Sequence, residues 1–506
     1  MRTRAGRTRP NILLLLIDTL RADHLSAYGY ERATSPSIDR IAERGVVFEN
    51  AISASPWTPP SHASIFTGTY PSRHGVDRSR LVLRDDILPL PDVLRRHGYR
   101  TYGVSSNYWL SRETRFNRGF DRFAHSWQLV QTGGGNAPLE RQNRKESLGL
   151  DALANESDHG WLHTCGTALN TLYERGTRAL RRSWHLYDDG AWRVNATVRS
   201  WMREWKRMDE PFFAFVHYIE PHLRYAPPGR YRHLHLPKGV DDRRIATVNQ
   251  DPWRYLTGRA QMSAEDFAIL KGLYDGEVSY VDQRVGQLHA TLEREGLLDN
   301  TLVIITSDHG ENIGDHQLMD HVYCLYDTLL RVPLIVGGPA DFARGDRVAE
   351  QVQTPDLFPT ILTLAGIEDD ETWRQVQAQP LFPRDLRSQP ERPAIAEYIE
   401  PQPPVGILRK RYPEFDPSRY DRTLRTVRAD GYKYVWASDG KDELYEVAAD
   451  PGEERNLIDA EPDVAARLGK SLDEWLASFS PARKTDEELE LDAAMRQRLE
   501  DLGYLA

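Results

Sequence analysis

The chain has 506 residues, 65 Lys and Arg against 75 Asp and Glu, and a net charge of -10. A composition 40% hydrophobic and 10% aromatic is that of a globular protein and excludes a disordered chain, a collagen or a small disulfide scaffold. The acidic balance argues against a nucleic-acid or anionic-membrane binder, no apolar run reaches the length of a membrane span, and two cysteines, Cys165 and Cys324, allow at most one disulfide.

In chain order, residues 1–9 form a basic leader, expected to be disordered. The apolar run Ile12–Ile17 ends in Asp18 with no small-residue cleavage site after it. It reads as a buried strand rather than a signal peptide, so a cytoplasmic protein is expected and the sequons at Asn155 and Asn195 carry no weight. Phe212–Val216 and Leu302–Thr306 are further buried strands; Tyr102–Val104 and Leu334–Val336 are weaker ones. Helical patterns fall at Ser37–Arg44, Leu90–His97, Ala264–Glu295 and Pro355–Ala365. This alternation predicts an α/β fold, a mostly parallel central sheet sandwiched by helices. Residues 125–200 and 225–262 read as insertions with little clean periodicity; their Trp127, Trp161, Trp184, Trp192 and Trp253 suit either a sugar or aryl pocket or ordinary packing. From about residue 390, Ala394–Tyr398, Arg425–Arg428 and Tyr432–Trp436 read as short antiparallel strands, followed by a helix from Leu457 to near Leu502. A catalytic domain over 10–389 and a C-terminal subdomain over 390–506 are therefore expected.

Chemistry collects where these strands end. Asp18, Asn107, His217 and the pair Asp308 and His309 each follow a strand, and ligands of open α/β sheets bind at that edge. Asp18, Asp308 and His309 can hold one divalent cation, or they are polar strand exits. Thr58, followed by Pro59, fits a helix N-cap with proline at the first helical position. The same geometry places a hydroxyl in the positive field of a helix start, where an anionic ester would dock. His217, His222, His316 and His321 lie near two strand ends; each is either structural or able to neutralise an anion and protonate a leaving group.

The ordered motifs resemble the sulfatase family of the alkaline-phosphatase superfamily. They are Pro10-Asn11-Ile12 to Asp18, Thr34-Ser35-Pro36, Ser61-His62-Ala63-Ser64, Tyr70-Pro71-Ser72-Arg73-His74-Gly75, Tyr274-Asp275-Gly276-Glu277, Ser307-Asp308-His309-Gly310-Glu311, Arg331-Val332-Pro333, Asp356-Leu357-Phe358-Pro359-Thr360 and Asp450-Pro451-Gly452-Glu453. The resemblance implies a large α/β domain, a small C-terminal domain with an antiparallel sheet and a helix, and ester hydrolysis through a metal-bound nucleophile and a covalent intermediate. By that resemblance Asp18, Asp308 and His309 match metal ligands, and Thr58 matches the nucleophile, which also touches the metal. His217 matches a histidine near the sulfate and leaving group. His321 falls where many members place an anion-binding lysine, and Asn107 lies near another lysine position. His222 and His316 complete the expected substrate-binding set.

Departures from the family pattern are specific. Members oxidise a cysteine or serine to formylglycine within a Cys-x-Pro-x-Arg motif; here the stretch is Thr58-Pro59-Pro60-Ser61-His62. Threonine carries a methyl on Cβ and cannot become an aldehyde, so no formylglycine is expected. His62 replaces the arginine, Thr19 a second aspartate and His309 an asparagine. These changes point toward relatives that use an unmodified threonine on phosphoesters, either phosphodiesterases or phospho-group transferases. A sulfatase-like site implies calcium or magnesium; a phosphoesterase-like site implies manganese or zinc. The expected substrate is a small-molecule or glycan ester, and a degenerate fold kept only for binding is the alternative from another class.

Overall fold

The protein is described by a computed structural model covering residues 9–77, 79–128, 188–339, 342, 345–382, 392–401 and 409–482. Its strands are, in order, β1 (Asn11–Ile17), β2 (Val46–Ile52), β3 (Arg100–Ser105), β4 (Arg122–His125), β5 (Phe212–Tyr218), β6 (Thr301–Thr306), β7 (Asn312–Ile313), β8 (Met319–Asp320), β9 (Arg331–Gly337), β10 (Asp346–Val348) and β11 (Val352–Gln353), then β12 (Ala394–Tyr398), β13 (Leu424–Ala429), β14 (Tyr432–Ala437) and β15 (Glu443–Glu446). Among the described residues, nine strands form a sheet in the order β10-β2-β9-β6-β1-β5-β3-β4, with β11 also paired to β2. Every pairing in it is parallel except those of β9 with β2 and β6.

The run Ile12–Ile17 is buried throughout, as are β5 and β6 on either side of it. Such runs suit only the centre of a sheet covered on both faces. One face packs on the helices Pro36–Ala42, Ala191–Trp205 and Ala264–Arg294 through Leu13, Leu15, Val198, Leu273 and Val281. The other packs on Thr58–Thr67, Leu90–Arg96 and Leu357–Leu364 through Leu14, Leu16, Phe66, Leu94 and Ile361. The 31-residue helix Ala264–Arg294 starts at a capping box of Ser263 and Asp266.

A second sheet, β12-β13-β14-β15, is antiparallel and is covered by the helix Pro462–Ala477 through Leu468 and Leu472 against Val427, Tyr434 and Leu444. A buried polar knot ties it to the segment between β8 and β9. The Lys433 ammonium meets Asp327 Oδ1 at 2.9 Å and Glu453 Oε1 at 2.6 Å, and Arg428 donates to Asp327 Oδ2 at 2.8 Å. Burial opposes a charge on Lys433, but its two carboxylate partners outweigh that and raise its pKa.

Several elements depart from the sequence pattern. β2, in the Val46–Ile52 stretch, escapes the periodicity reading because an interior Glu49-Asn50 pair breaks its apolar run. Within 125–200, Ala191–Trp205 is a strongly periodic helix that buries Ala191, Val194, Val198, Trp201 and Trp205. Its Asn195 is a buried packing residue: it accepts a hydrogen bond from Tyr218 Oη at 2.7 Å and donates to the Arg284 carbonyl at 2.8 Å. Residues 225–262 hold two short helices, capped by Asp241 and Asp251. The C-terminal helix begins at Pro462 rather than Leu457 and ends at Ala477. Thr58 is not an N-cap: Trp57 occupies that place and Thr58 opens the first turn, its hydroxyl directed elsewhere. Trp253 is buried, Trp127 stacks on His125, and Trp192 is half exposed. Cys324 is a free, buried thiol. Residues 1–8, Trp161, Trp184, Asn155, Cys165 and the stretch 483–506 lie outside the described residues. Among the described residues, no helix is long and apolar enough to cross a membrane.

Two stability outcomes follow. Lys433→Met leaves Asp327 and Glu453 buried without their cation and should cost about 3–5 kcal/mol in urea unfolding. His74 is buried and neutral: its Nδ1 accepts the Val76 N–H at 3.0 Å and its Nε2 faces Ser64 Oγ at 3.0 Å. Burial pulls its pKa from 6.5 to about 3. Its contribution is therefore full above pH 6.5 and is lost as pH falls toward 3, a term on the order of 5 kcal/mol. His74→Gln should flatten the fall in urea midpoint between pH 7 and pH 4.

Candidate metal centre and active site

β1 and β6 run side by side with Leu16 level with Thr306, so Asp18 and Asp308, each two residues further on, emerge together at the carboxyl edge of the sheet. The turn after β1 is tight: Thr19 has φ 54°. It is held by its own N–H on Asp308 Oδ1 at 3.3 Å, by the Leu20 N–H on Ser307 Oγ at 2.9 Å, and by Tyr274 Oη, which donates to the Thr19 carbonyl at 2.8 Å. β5 places His217 beside β1, with its Nε2 3.4 Å from Asp18 Oδ2. After β3, Asn107 donates Nδ2 to the same oxygen at 2.7 Å, and its side-chain Oδ1 accepts the Trp109 N–H at 2.9 Å.

Thr58 enters from the opposite side at the start of a helix whose ten residues are all buried. Its Oγ1 lies 3.3 Å from His309 Nε2. The His309 Nδ1 faces the Gly310 carbonyl at 2.9 Å and must carry the proton, which leaves an acceptor lone pair on Nε2. That nitrogen is also 3.5 Å from Asp308 Oδ2 and 3.9 Å from Asp18 Oδ1. Ligand atoms of Asp18, Asp308 and His309 all lie within 4.8 Å of one another.

Asp18 Oδ1 and Asp308 Oδ2 are buried and lack a hydrogen-bond partner among the described residues. Buried carboxylate oxygens of this kind are costly unless something positive meets them. Burial opposes ionisation of Asp18, but His217, His222 and His309 outweigh it and hold the carboxyl well below the usual range. Two anionic oxygens and an imidazole nitrogen aimed at one another fit a divalent cation.

The other expected residues fall into two groups. His62 is buried beneath the cluster; its Nδ1 donates to the Thr58 carbonyl at 2.9 Å and lies 3.5 Å from Asp308 Oδ2, and burial pushes its pKa down to about 4. The His321 ring sits 4.6 Å from His309 and 5.1 Å from His222. Its Nδ1 lies between Asp320 Oδ1 at 2.9 Å and Glu311 Oε1 at 3.3 Å. Burial works against a charge on His321, but those two carboxylates prevail and raise its pKa well above the ordinary value. His316 is turned elsewhere: its ring stacks on Tyr326 at 3.7 Å, toward the second sheet. Glu311 closes the Ser307-to-Glu311 motif but carries no assigned role in the sequence, and Asp320 has only its adjacency to His321 as a signal.

A buried acidic and imidazole cluster at the carboxyl edge of a doubly covered sheet, with a hydroxyl facing it, has the donor groups of a candidate metal centre. The sulfatase family model matches residues 10–367, and the model for the C-terminal region of N-sulphoglucosamine sulphohydrolase matches residues 314–479. The chain belongs to the sulfatase family and is an ester hydrolase of that class. It is 24% identical over 500 residues to an ulvan-active sulfatase of Formosa agariphila, covering 98% of this chain and 82% of that one. The fold is shared with a phosphonate monoester hydrolase of Agrobacterium radiobacter (TM-score 0.64, 22% identity, 93% and 95% of the two chains). It is shared as well with a protein solved in complex with its substrate D-glucosamine-2-N,6-O-disulfate (TM-score 0.66, 20% identity, 93% and 98%).

Because the buried carboxylates repel each other without a cation, metal-stripped protein is expected to melt lower than protein refilled with a divalent cation. A cation at a hundred times its dissociation constant is worth about 2.7 kcal/mol. Asp308→Asn should abolish that shift in a thermal melt.

Proposed function

We propose that the protein hydrolyses a phosphate or sulfate ester through unmodified Thr58, with one divalent cation held by Asp18, Asp308, His309 and the Thr58 hydroxyl. The observation that carries this reading is the Thr58 Oγ1, 3.3 Å from His309 Nε2 at the mouth of the buried carboxylate pair. When bound, the cation supplies positive charge that stabilises an alkoxide and an ester oxyanion. Manganese or zinc is favoured by the imidazole in the donor set.

Within this arrangement Thr58 Oγ gives up its hydroxyl proton to solvent and attacks the phosphorus or sulfur, forming a new O–P or O–S bond as the bond to the alcohol oxygen breaks and that oxygen takes up a proton. Its position in the first turn of its helix favours the negative charge that develops there. Asn107 holds Asp18 in place, leaving its second oxygen for the centre. His321, kept cationic between Asp320 and Glu311, offsets the negative charge of the ester, and His217 and His222 stand where a leaving alcohol needs a proton. Water then cleaves the Thr58 ester, releasing phosphate or sulfate. A threonine ester has no aldehyde to expel its group by collapse, so the second step requires an outside nucleophile. Phosphorus, where in-line displacement at a metal site is well supported, suits this better than sulfur, and a phosphoester is the favoured substrate.

Turnover of matched aryl sulfate, aryl phosphate and aryl phosphodiester substrates, on protein refilled with calcium, magnesium, manganese or zinc, tests this reading. A phosphoester is expected to turn over fastest with manganese or zinc, and Thr58→Ala should lose at least about a thousandfold in kcat. Turnover of Thr58→Ala at the parent rate would sink the assignment of the nucleophile.

A further inference from the structure

Three arginines are buried among the described residues: Arg21, Arg80 and Arg232. Arg21 is held by Asp23, Asp315 and the Glu311 carbonyl, and Arg232 by Asp242 Oδ1 at 2.6 Å. Arg80, only 6% exposed, differs from both: its Nε and Nη2 are enclosed and meet no acceptor among the described residues. An enclosed guanidinium donor without an acceptor is destabilising, a penalty that the other two buried arginines avoid.

The Arg80 side chain is held in place from both directions along the chain. Its carbonyl accepts the Asp77 N–H at 2.9 Å, and its N–H donates to Asp77 Oδ1 at 3.2 Å. Just beyond it, Leu81 packs against the cluster of Trp57, Tyr398 and Tyr412, and the Leu83 N–H donates to the Thr114 carbonyl at 3.0 Å. The acidic groups of the same loop are already engaged. Asp77 also accepts the Ser79 hydroxyl at 2.8 Å, Asp85 pairs with Arg115 at 3.0 Å, and Asp86 accepts Arg84 Nε at 2.7 Å. Gly75 leaves the wall beside the guanidinium bare: a Cβ there would stand 3.9 Å from Arg80 Nη1 and 3.9 Å from Arg84 Cδ. Two arginine side chains thus flank one small space, and only Arg84 has its carboxylate.

We infer that Arg80 anchors a second anion site, for an oxyanion of the phosphate or sulfate class, in the loop that follows the Thr58 helix. A planar fork of N–H donors matches two such oxygens at once. The enclosure that penalises the lone charge strengthens its pairing with an anion. The loop starts at His74, which faces Ser64 of the Thr58 helix at 3.0 Å. A bound anion therefore acts on the stability of that brace, and the site stands whether or not Thr58 is the nucleophile.

The test is thermal melting of full-length Asp308→Asn protein, in which the strand-end centre has lost a ligand, with Arg80 intact, with Arg80→Met and with Arg80→Lys. Inorganic phosphate, sulfate and acetate are titrated at constant ionic strength. Phosphate or sulfate should raise the melting temperature saturably, by about 2 °C or more, when Arg80 is present and not in Arg80→Met. In oxyanion-free buffer Arg80→Met should melt higher than its parent, because the unmet buried charge is gone. Arg80→Lys keeps the charge without the fork and should need about tenfold more anion for the same rise. An equal rise with Arg80 and with Arg80→Met is the general effect of excluded oxyanions and overturns the site, as does no rise at all. If Arg80→Met does not fold, an unchanged midpoint in Arg80→Lys overturns it instead. A larger rise with acetate than with phosphate or sulfate overturns the choice of ligand.

Discussion

Two carboxylates buried side by side at the ends of adjacent parallel strands set the terms for the rest of this protein. Neither Asp18 nor Asp308 has an arginine or lysine partner among the described residues; what surrounds them is imidazole, amide and hydroxyl. The contrast with Arg21 is instructive. Only a few residues away, its guanidinium pairs with Asp23 and Asp315 and donates to the Glu311 carbonyl, which ties the turn after β1 to the loop after β6. A fixed cation thus serves the architecture next to a pair of strand-end carboxylates that has none among the described residues.

The backbone around the pair is held by side chains from several neighbouring elements. Ser53 and Ser61 hydroxyls both donate to the Asp308 carbonyl, the latter at 2.7 Å, so β2 and the Thr58 helix converge on the same residue. His74 braces that helix through Ser64. Glu397, on the first strand of the second sheet, accepts the Ser72 N–H at 2.8 Å just beyond it. The antiparallel sheet therefore supports the segment after the Thr58 helix from one direction and the His321 loop, through Asp327, from another.

Much of this was legible in the residues themselves. Unbroken apolar strands followed at once by Asp18, His217 and Asp308 announce a parallel sheet with a site at its carboxyl edge, and those side chains do converge. β12 has the bounds its sequence pattern suggests. β2 was hidden because its polar pair sits where the strand is interrupted against β9. His316 was misleading for a different reason. Its proximity in sequence to His321 says nothing of direction, and the left-handed backbone at residues 316 and 317 turns its ring away to Tyr326. The roles of Glu311 and Asp320 depend on a loop that returns beside itself, a juxtaposition that no local pattern encodes.

Asn195 carries a consequence for where this chain can mature. Asn195-Ala196-Thr197 is a glycosylation acceptor in sequence, yet its amide is enclosed between Tyr218 and the Arg284 backbone. Oligosaccharide transfer acts on the nascent chain before this helix has docked, and a glycan there would occupy the space of the central sheet itself. Production in a glycosylating secretory pathway would thus convert a packing residue into an obstacle to folding, and replacing Thr197 removes the acceptor while leaving Asn195 to its two hydrogen bonds.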